Sequence, residues 1–446
     1  MKRVWTPMLL LPLAACARYT PHPLSDTPPV LDAPTSATLS QAAATIDRPY
    51  LTPTTIDLAA PLDPNAVATI AVIANPDLKA ARAKADVNDA QVFAARLLPD
   101  PTFSIGAHPV LTGPDPLAEI AGALGLDINA LRARGVRVAQ AQAAARQVRL
   151  DLAWAEWQTA GQARIQAVKI TGLEAVVALD RQTATAQRSL LGRTLDAVGR
   201  GDFAGDRGQA ARTAASDAEA KLASDERDLD AARLDLDKLL GLRPTTELRL
   251  TDTALPPPPP DAAALFALAR ARRADLAALR AGYAAEEAAV HKAILDQFPA
   301  LNLSIAATRD TTGNLIVGPT VDFTLPLWNR NRGGIAVERA TRGQLRAEYD
   351  ARLFQARAEI AAAVDGIAVA RRQRAAILAD LPSLERFAAA SRRAAARGDL
   401  AAASAETAEQ ALRDKQTLLA QDDEAIREQT IALELLTGTP RQTWPH

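Results

Sequence analysis

The two halves of this chain carry the same landmarks in the same order, so each must be able to fold the same way. Leu98-Pro99, Phe103-Ser104-Ile105, Arg134-Gly135 and Arg200-Gly201-Asp202 recur as Phe298-Pro299, Leu303-Ser304-Ile305, Arg332-Gly333 and Arg397-Gly398-Asp399. The offset stays between about 197 and 200 residues, too long for a solenoid unit, and reads as an internal duplication.

Composition limits what each half can build. Hydrophobic residues make up 48% of the 446 but aromatics only 4%. Such an alanine-rich chain suits long helices packed closely through small side chains better than thick globular cores. The 51 basic and 52 acidic residues nearly cancel. No basic face dominates, so nucleic acid is not expected as a partner.

The N-terminus reads as an address. Lys2-Arg3 form a basic start, Val4 to Leu11 a short apolar run, and Leu13-Ala14-Ala15-Cys16 follows. Small residues directly before a cysteine resemble the bacterial lipobox, which makes residues 1–15 a lipoprotein signal peptide and Cys16 the lipid anchor. Ala17 stands where an aspartate would resemble an inner-membrane retention signal, which favours the outer membrane. Cys16 is the single cysteine, so no intramolecular disulfide can form. No later stretch has the roughly 18 uncharged apolar residues of a membrane-spanning helix.

Residues 16–60, rich in Pro, Thr, Ser and Asp, are expected to form an extended tether. Residues 61–255 form the first repeat, the proline run 256–260 a stiff linker, residues 261–440 the second repeat and 441–446 a tail. The first helix signal is Asn75-Pro76-Asp77, with Asn as N-cap and Pro at the first helical position, and Pro99 stops that helix after Leu98. Two alternating stretches follow. Phe103 and Ile105 alternate with Thr102 and Ser104, and Leu124, Leu126 and Ile128 with Gly125, Asp127 and Asn129, across a loop from Gly106 to Gly122. The second half repeats this with Leu301, Leu303 and Ile305, then Val321, Phe323, Leu325 and Leu327. Period two gives one apolar and one polar face.

After each strand pair comes a long helical pattern, about 134–198 and 334–396, each close to 100 Å long at about 1.5 Å per residue. Each ends at an Arg-Gly-Asp turn, and a shorter helix returns to Leu240-Gly241 or Leu436-Thr437-Gly438. The short helices before the strands, about 75–98 and 262–297, are expected to stack end to end with the return helices. The fold class is therefore mainly α with a membrane β portion. Segments of about ten residues suit tilted strands crossing the hydrocarbon layer, with apolar residues toward lipid and Asn302, Ser304, Asp322, Thr324 and Asp127 toward a wet interior. Four strands cannot close a barrel, which takes about eight, so closure would need two or three copies.

This order of elements, present twice, resembles the TolC-like outer-membrane factors (outer membrane efflux proteins), from about Asn75 to Gly438. Asn75-Pro76-Asp77-Leu78 through Leu98-Pro99-Asp100-Pro101 carries the resemblance. So does Leu325-Pro326-Leu327-Trp328-Asn329-Arg330-Asn331-Arg332-Gly333, which is most similar to the heavy-metal (CzcC-like) branch of resistance-nodulation-division (RND) efflux. The resemblance implies a homotrimer with a twelve-stranded barrel, four strands per chain, continued by a long periplasmic α-helical barrel. It also implies a periplasmic adaptor protein and an inner-membrane RND pump as partners, with the chain as a passive exit duct in outer-membrane lipid. Two features depart from that pattern: the first strand pair alternates poorly, and Pro382 sits inside the second long helix where Thr185 stands in the first. A lipoprotein scaffold of coiled-coil helices without channel activity is the alternative reading.

No catalytic set, cofactor loop or metal-ligand spacing emerges, and His22, His108, His291 and His446 are scattered. Arg200, Gly201, Asp202, Arg397, Gly398 and Asp399 are the candidate tips. A glycine stops each outgoing helix there and an aspartate is expected to cap the next, and the resemblance implies that these tips meet the adaptor. Arg207 and Glu406, beyond the tips, are expected to pair between neighbouring helices as a gate.

Overall fold

The computed structural model describes residues 19–28, 31–32, 34–115, 117–244 and 246–445. Cys16 and the rest of the signal lie outside them. The chain divides into two units, Met1–Ala33 and Pro34–His446. In the first, the described stretch 19–28 carries no helix or strand.

The second unit begins where the extended tether was expected to continue, and it is not extended there. Thr35 and Thr38 cap each other in a capping box that starts α1 (Ser36–Ala44). Leu39, Ala43, Leu51 and Ile56 are buried, so apolar burial holds this segment against the body of the fold. The tail is likewise not free, because Trp444 is buried against a core that includes Leu265, Ile360 and Leu433.

The first repeat gains a helix before Asn75. Asp63 caps α2 (Pro64–Ala74), and Asn75 then ends α2 and caps α3 (Pro76–Arg96), its Oδ1 accepting from Leu78 N at 3.0 Å. After α3 come β1 (Thr102–His108), β2 (Glu119–Asp127), α4 (Ile128–Gly199) and α5 (Gly205–Leu240). The second half runs α6 (Ala262–Arg272), α7 (Ala274–Leu295), β3 (Leu301–Arg309), β4 (Leu315–Phe323), α8 (Arg332–Ala396) and α9 (Ala402–Thr437). The helix expected over 262–297 is thus two, broken at Arg273. α8 runs continuously through Pro382.

Two joints bear out the expected end-to-end stacking. Each return helix stops at a left-handed glycine, Gly241 (φ +64°) or Gly438 (φ +70°). Asn75 Nδ2 donates to the Leu239 carbonyl at 2.9 Å, fastening the end of α5 to the start of α3. Arg273 Nη1 donates to the Leu436 carbonyl at 3.0 Å and does the same for α9 and α7. The Arg273 guanidinium also pairs with Asp275 at 2.7 Å and lies over the Trp154 ring. A Cβ on Gly241 would stand 2.6 Å from the Ala74 carbonyl oxygen. The joint therefore admits no side chain.

Around these joints the wall is laid out side by side. α4 packs against α3 and α5 on one flank and α7 and α9 on the other, and α8 packs beyond them on α7 and α9. Small residues permit the approach. Gly161 abuts Leu435, Gly172 abuts Glu424, and Ala160 and Ala163 are buried. One carboxylate clamps the N-terminal segment: Glu156 pairs with Arg48 at 2.5 Å and Arg82 at 2.7 Å. Burial acts to raise the Glu156 pKa, but the hydrogen bonds from both arginines overcome it and leave the group below its ordinary value.

Two outcomes follow. Gly241→Ala should cost at least about 2 kcal/mol in chemical denaturation, from left-handed strain plus the carbonyl clash, whereas Gly192→Ala, with open space around it, should not destabilise. Burial, and then the nearby Glu428, push the Glu424 carboxyl up to about 7. Its folded pKa exceeds the unfolded one, so its ionisation opposes folding as pH rises from about 4.5 to about 7. The thermal midpoint should be higher at pH 5 than at pH 8, and Glu424→Gln should narrow that difference.

Candidate functional site: a two-faced sheet and the helix tips

The strands form one antiparallel sheet in the order β1-β2-β3-β4. Register decides its chemistry. Phe103 pairs with Leu124, which pairs with Ile305; Leu126 pairs with Leu303, which pairs with Val321. Directly paired residues share a face. One face therefore carries Phe103, Ile105, Ile120, Leu124, Leu126, Leu301, Leu303, Ile305, Val317, Val321 and Phe323. The other carries Thr102, Ser104, Asp127, Asn302, Ser304, Thr308, Thr320 and Asp322 with small residues between them, and toward the loop end His108, Glu119 and Ile316, while Arg309 stands at that end of the apolar face. The apolar face is open: Phe103 and Ile105 are each 71% exposed and Ile305 is 60% exposed. An apolar face of this extent left open on a folded chain marks contact with another apolar phase.

The strand limits differ from the sequence reading in three places. β1 extends to His108 and β2 starts at Glu119, so the loop is shorter than Gly106 to Gly122. β2 stops at Asp127 because that carboxylate caps α4, accepting from Ala130 N at 2.9 Å. β4 covers Leu315–Phe323, not a strand continuing to Leu327. The Asp310–Asn314 turn sets this register. Asp310 Oδ1 accepts from Thr312 N and Asn314 N, and Gly313 adopts φ +100°. Leu325, Leu327 and Trp328 fall beyond the strand and are exposed. Thr311 Oγ1 donates to Asp115 Oδ2 at 2.8 Å, linking the loops of the two strand pairs.

At the other end the two tips are built alike. Asp202 N donates to the Ala197 carbonyl and Asp399 N to the Ala394 carbonyl, each at 2.9 Å. Gly201 (φ +78°) and Gly398 (φ +81°) supply the left-handed turn. Arg200 Nε meets Asp202 Oδ2 at 2.9 Å, and Arg397 Nε meets Asp399 Oδ2 at 2.8 Å. Neither aspartate caps the next helix as expected. Ala204 and Ala401 hold the N-cap positions of α5 and α9 without side-chain caps, because each carboxylate is taken by its own arginine. All four charged side chains are exposed.

Arg207 and Glu406 are not brought together within the chain. The Arg207 guanidinium lies over the Phe203 ring, 5.2 Å from its centroid. Glu406 is buried and pairs with Arg413, one residue that sequence reasoning missed. Arg413 Nε also donates to Thr183 Oγ1 at 3.0 Å, so the ion pair ties α9 to α4 near the tips. A cluster further up, Asp180, Lys221 and Asp225, joins α4 to α5. Burial, then a hydrogen bond with Asp225, pushes Asp180 up to about 6.

Among the described residues no group of three His, Cys, Asp or Glu side chains is placed to hold a metal, and no helix is long and apolar enough to cross a membrane.

Residues 265–439 match the outer membrane efflux protein family. That match begins in α6 and ends at the Gly438 joint. The whole architecture is similar to solved outer-membrane channels. With OprN, described as an outer-membrane channel, the chain shares 17% identity over 96% of its own length and 100% of that chain, at a TM-score of 0.70. VceC, an outer membrane protein of Vibrio cholerae, gives 17% over 84% and 96%, at 0.68. CusC, described in terms of folding and transmembrane channel formation, gives 16% over 84% and 92%, at 0.68. No curated protein sequence matches the chain. At such identities the likeness establishes the fold: a mainly helical chain with a small antiparallel sheet, as in the TolC-like channels.

The tips give a direct check on their construction. Gly201→Val or Gly398→Val should each cost about 1–2 kcal/mol, because a β-branched residue resists positive φ. Arg200→Ala and Arg397→Ala break only exposed pairs and should change stability by less than about 1 kcal/mol in thermal melts.

Proposed function

We propose that this chain is the outer-membrane channel subunit of an efflux system, a passive duct whose closed form needs three copies. The single observation that carries the reading is the register-aligned apolar face of the sheet, whose Phe103, Ile105, Leu124 and Ile305 are left exposed among the described residues. In lipid every backbone N–H and C=O must be paired, and an open sheet edge is not tolerated. β1 and β4 are edges within one chain. Pairing β4 of each copy with β1 of the next removes all edges and gives a twelve-stranded barrel. Its polar and small residues would then line a wet bore. The helical wall has matching open flanks, α3 with α5 on one side and α8 on the other, which suits a periplasmic tunnel of twelve helix stacks.

The internal duplication belongs to the same reading. Val67, Ala71, Ala163, Ile170 and Leu236 form one buried core, and Leu265, Ala269, Ile360, Ile367 and Leu433 form another. They correspond one to one at an offset of about 197–198 residues. An ancestral half-chain forming the same wall with itself accounts for this.

Lipidation of Cys16 would add a second hold on the membrane. The exposed Arg-Gly-Asp tips suit end-on docking of a periplasmic adaptor, with an RND-type inner-membrane pump as driver. Glu406, with Arg413 and Thr183, suits a latch that holds the tips together. The cargo is a small molecule or metal cation, the latter suggested by the Leu325–Gly333 motif.

Planar-bilayer recording tests the reading. The purified protein should conduct. Ile305→Lys places a charge on the lipid face and should cost about 2–4 kcal/mol of insertion, seen as loss of outer-membrane yield. Ser304→Lys, one residue away on the other face, should insert normally and change ion selectivity. A protein that never conducts, or two variants that behave alike, would sink the proposal.

A further inference from the structure

One buried carboxylate stands without a partner, and the duplication says where its partner comes from. Asp237 on α5 is 4% exposed. It has no ion pair among the described residues, and burial alone pushes its pKa up, to about 6. It lines a cavity of about 900 Å³ together with Ile170 and Glu174 of α4, Leu234 of α5 and Pro244.

The equivalent position in the second repeat is Glu434, four residues before Gly438 as Asp237 is before Gly241. Glu434 is equally buried but has an ionic partner and a backbone donor. Arg164 of α4 meets its Oε2 at 2.7 Å, and Arg441 N donates to its Oε1 at 3.2 Å. The space beside it, about 570 Å³, is lined by Ile431, Arg441 and the α4 residues Ala160, Arg164 and Val168. Ile431 and Arg441 correspond to Leu234 and Pro244. The two cavities are thus the same site, with α4 of the other repeat seated on one and, among the described residues, no helix of the other repeat seated on the other. Pro244, having no N–H, also removes the backbone donor that Arg441 supplies.

The helix that corresponds to α4 is α8, whose outer flank is free within the chain. The core pairs Ala163/Ile360 and Ile170/Ile367 fix the register at this height. Trp157, buried against α9 with Nε1 donating to the Leu435 carbonyl at 3.4 Å, corresponds to Phe354, which is 77% exposed. Ala160 corresponds to Arg357, which is exposed and has no ion-pair partner among the described residues. Phe354 and Arg357 stand three residues apart, on one helix face. An exposed phenylalanine and a cation on one flank therefore match, on the other, a cavity that offers Leu234, Leu236 and Leu248 beside the Asp237 carboxylate. The two arginines of that cavity are engaged elsewhere, Arg233 with Glu174 and Arg249 with the Ala59 carbonyl.

We infer that the cavity over Asp237 receives α8 of a second copy of this chain, with Phe354 seated as Trp157 is seated within the chain and Arg357 paired with Asp237. This rests on the multi-copy duct proposed above and names the contact that would set the rotation between copies.

The test is a charge swap combined with cross-linking, on the full chain in detergent. Arg357→Glu should lower the fraction of SDS-resistant oligomer roughly tenfold, and adding Asp237→Arg should restore most of it, as expected for a coupled pair. Because a variant can fail to fold, helicity by circular dichroism is followed alongside. Independently, Asp237→Cys with Arg357→Cys should give disulfide-linked oligomers under mild oxidation. If light scattering shows a trimer but neither rescue nor cross-linking occurs, the contact is wrong while the trimer stands. If wild-type protein is monomeric, both fall. Protection of a Leu234→Cys thiol, with Asp237 kept, from a maleimide by the cationic dye rhodamine, with no cross-linking in the Asp237→Cys/Arg357→Cys pair, would assign the cavity to a small organic cation and overturn the proposal.

Discussion

Pairing of backbone hydrogen-bonding groups at the edges of a four-stranded sheet is the constraint from which the rest of this architecture follows. In water, β1 and β4 could be left to solvent. In a hydrocarbon layer they could not, since each unpaired group there costs several kcal/mol. A chain that places an apolar sheet face outward can satisfy its edges only by lending them to other copies of itself. The helical wall obeys a parallel rule, because alanine-rich helices this long gain too little from one neighbour and need flanks on both sides. In the proposed duct both portions are completed by the same partner, the next copy.

The two joints show how the wall spans unequal pieces. Outgoing helices of 72 and 65 residues run beside return helices of 36 each. α3 and α7 supply the missing length, and the splice is made by one side chain in each repeat. Asn75 and Arg273 differ completely in chemistry, yet each reaches the last carbonyls of a return helix. The joint geometry is kept while the residue is free to change, provided a donor of adequate reach occupies it. The glycines opposite cannot change, because backbone stands where a Cβ would go.

Divergence between the halves is informative where it leaves something unsatisfied. Glu434 has its arginine and its N–H, whereas Asp237 faces a proline and an open cavity. Burying a carboxylate without partners is costly, so its persistence in the first half points outward. The same logic applies to Trp157 and Phe354, one buried between repeats and the other bare. In the proposed assembly, what the first interface completes inside the chain, the second completes between copies.

Much of this was legible in the residues. Alternation announced the strands, Asn75-Pro76 the start of α3, and Arg-Gly-Asp the tips, because those signals are local: backbone preference and period act within a few residues. The local signal failed where a distant or competing bond decided. Asp127 left the β2 pattern to cap α4, Asp202 and Asp399 chose their own arginines over the next helix, and β4 slid toward its hairpin once Asp310 fixed the turn. Residues 36–60 looked like tether because their few apolar side chains have meaning only against α2 and α4. By itself the sequence determined the element types, their doubled order and the polarity of each strand face. Only the tertiary structure decided strand register, the partners of buried charges such as Glu406 and Glu434, and which flanks stay open. Those depend on which surfaces meet across some 200 residues of chain, and no short-range pattern encodes that.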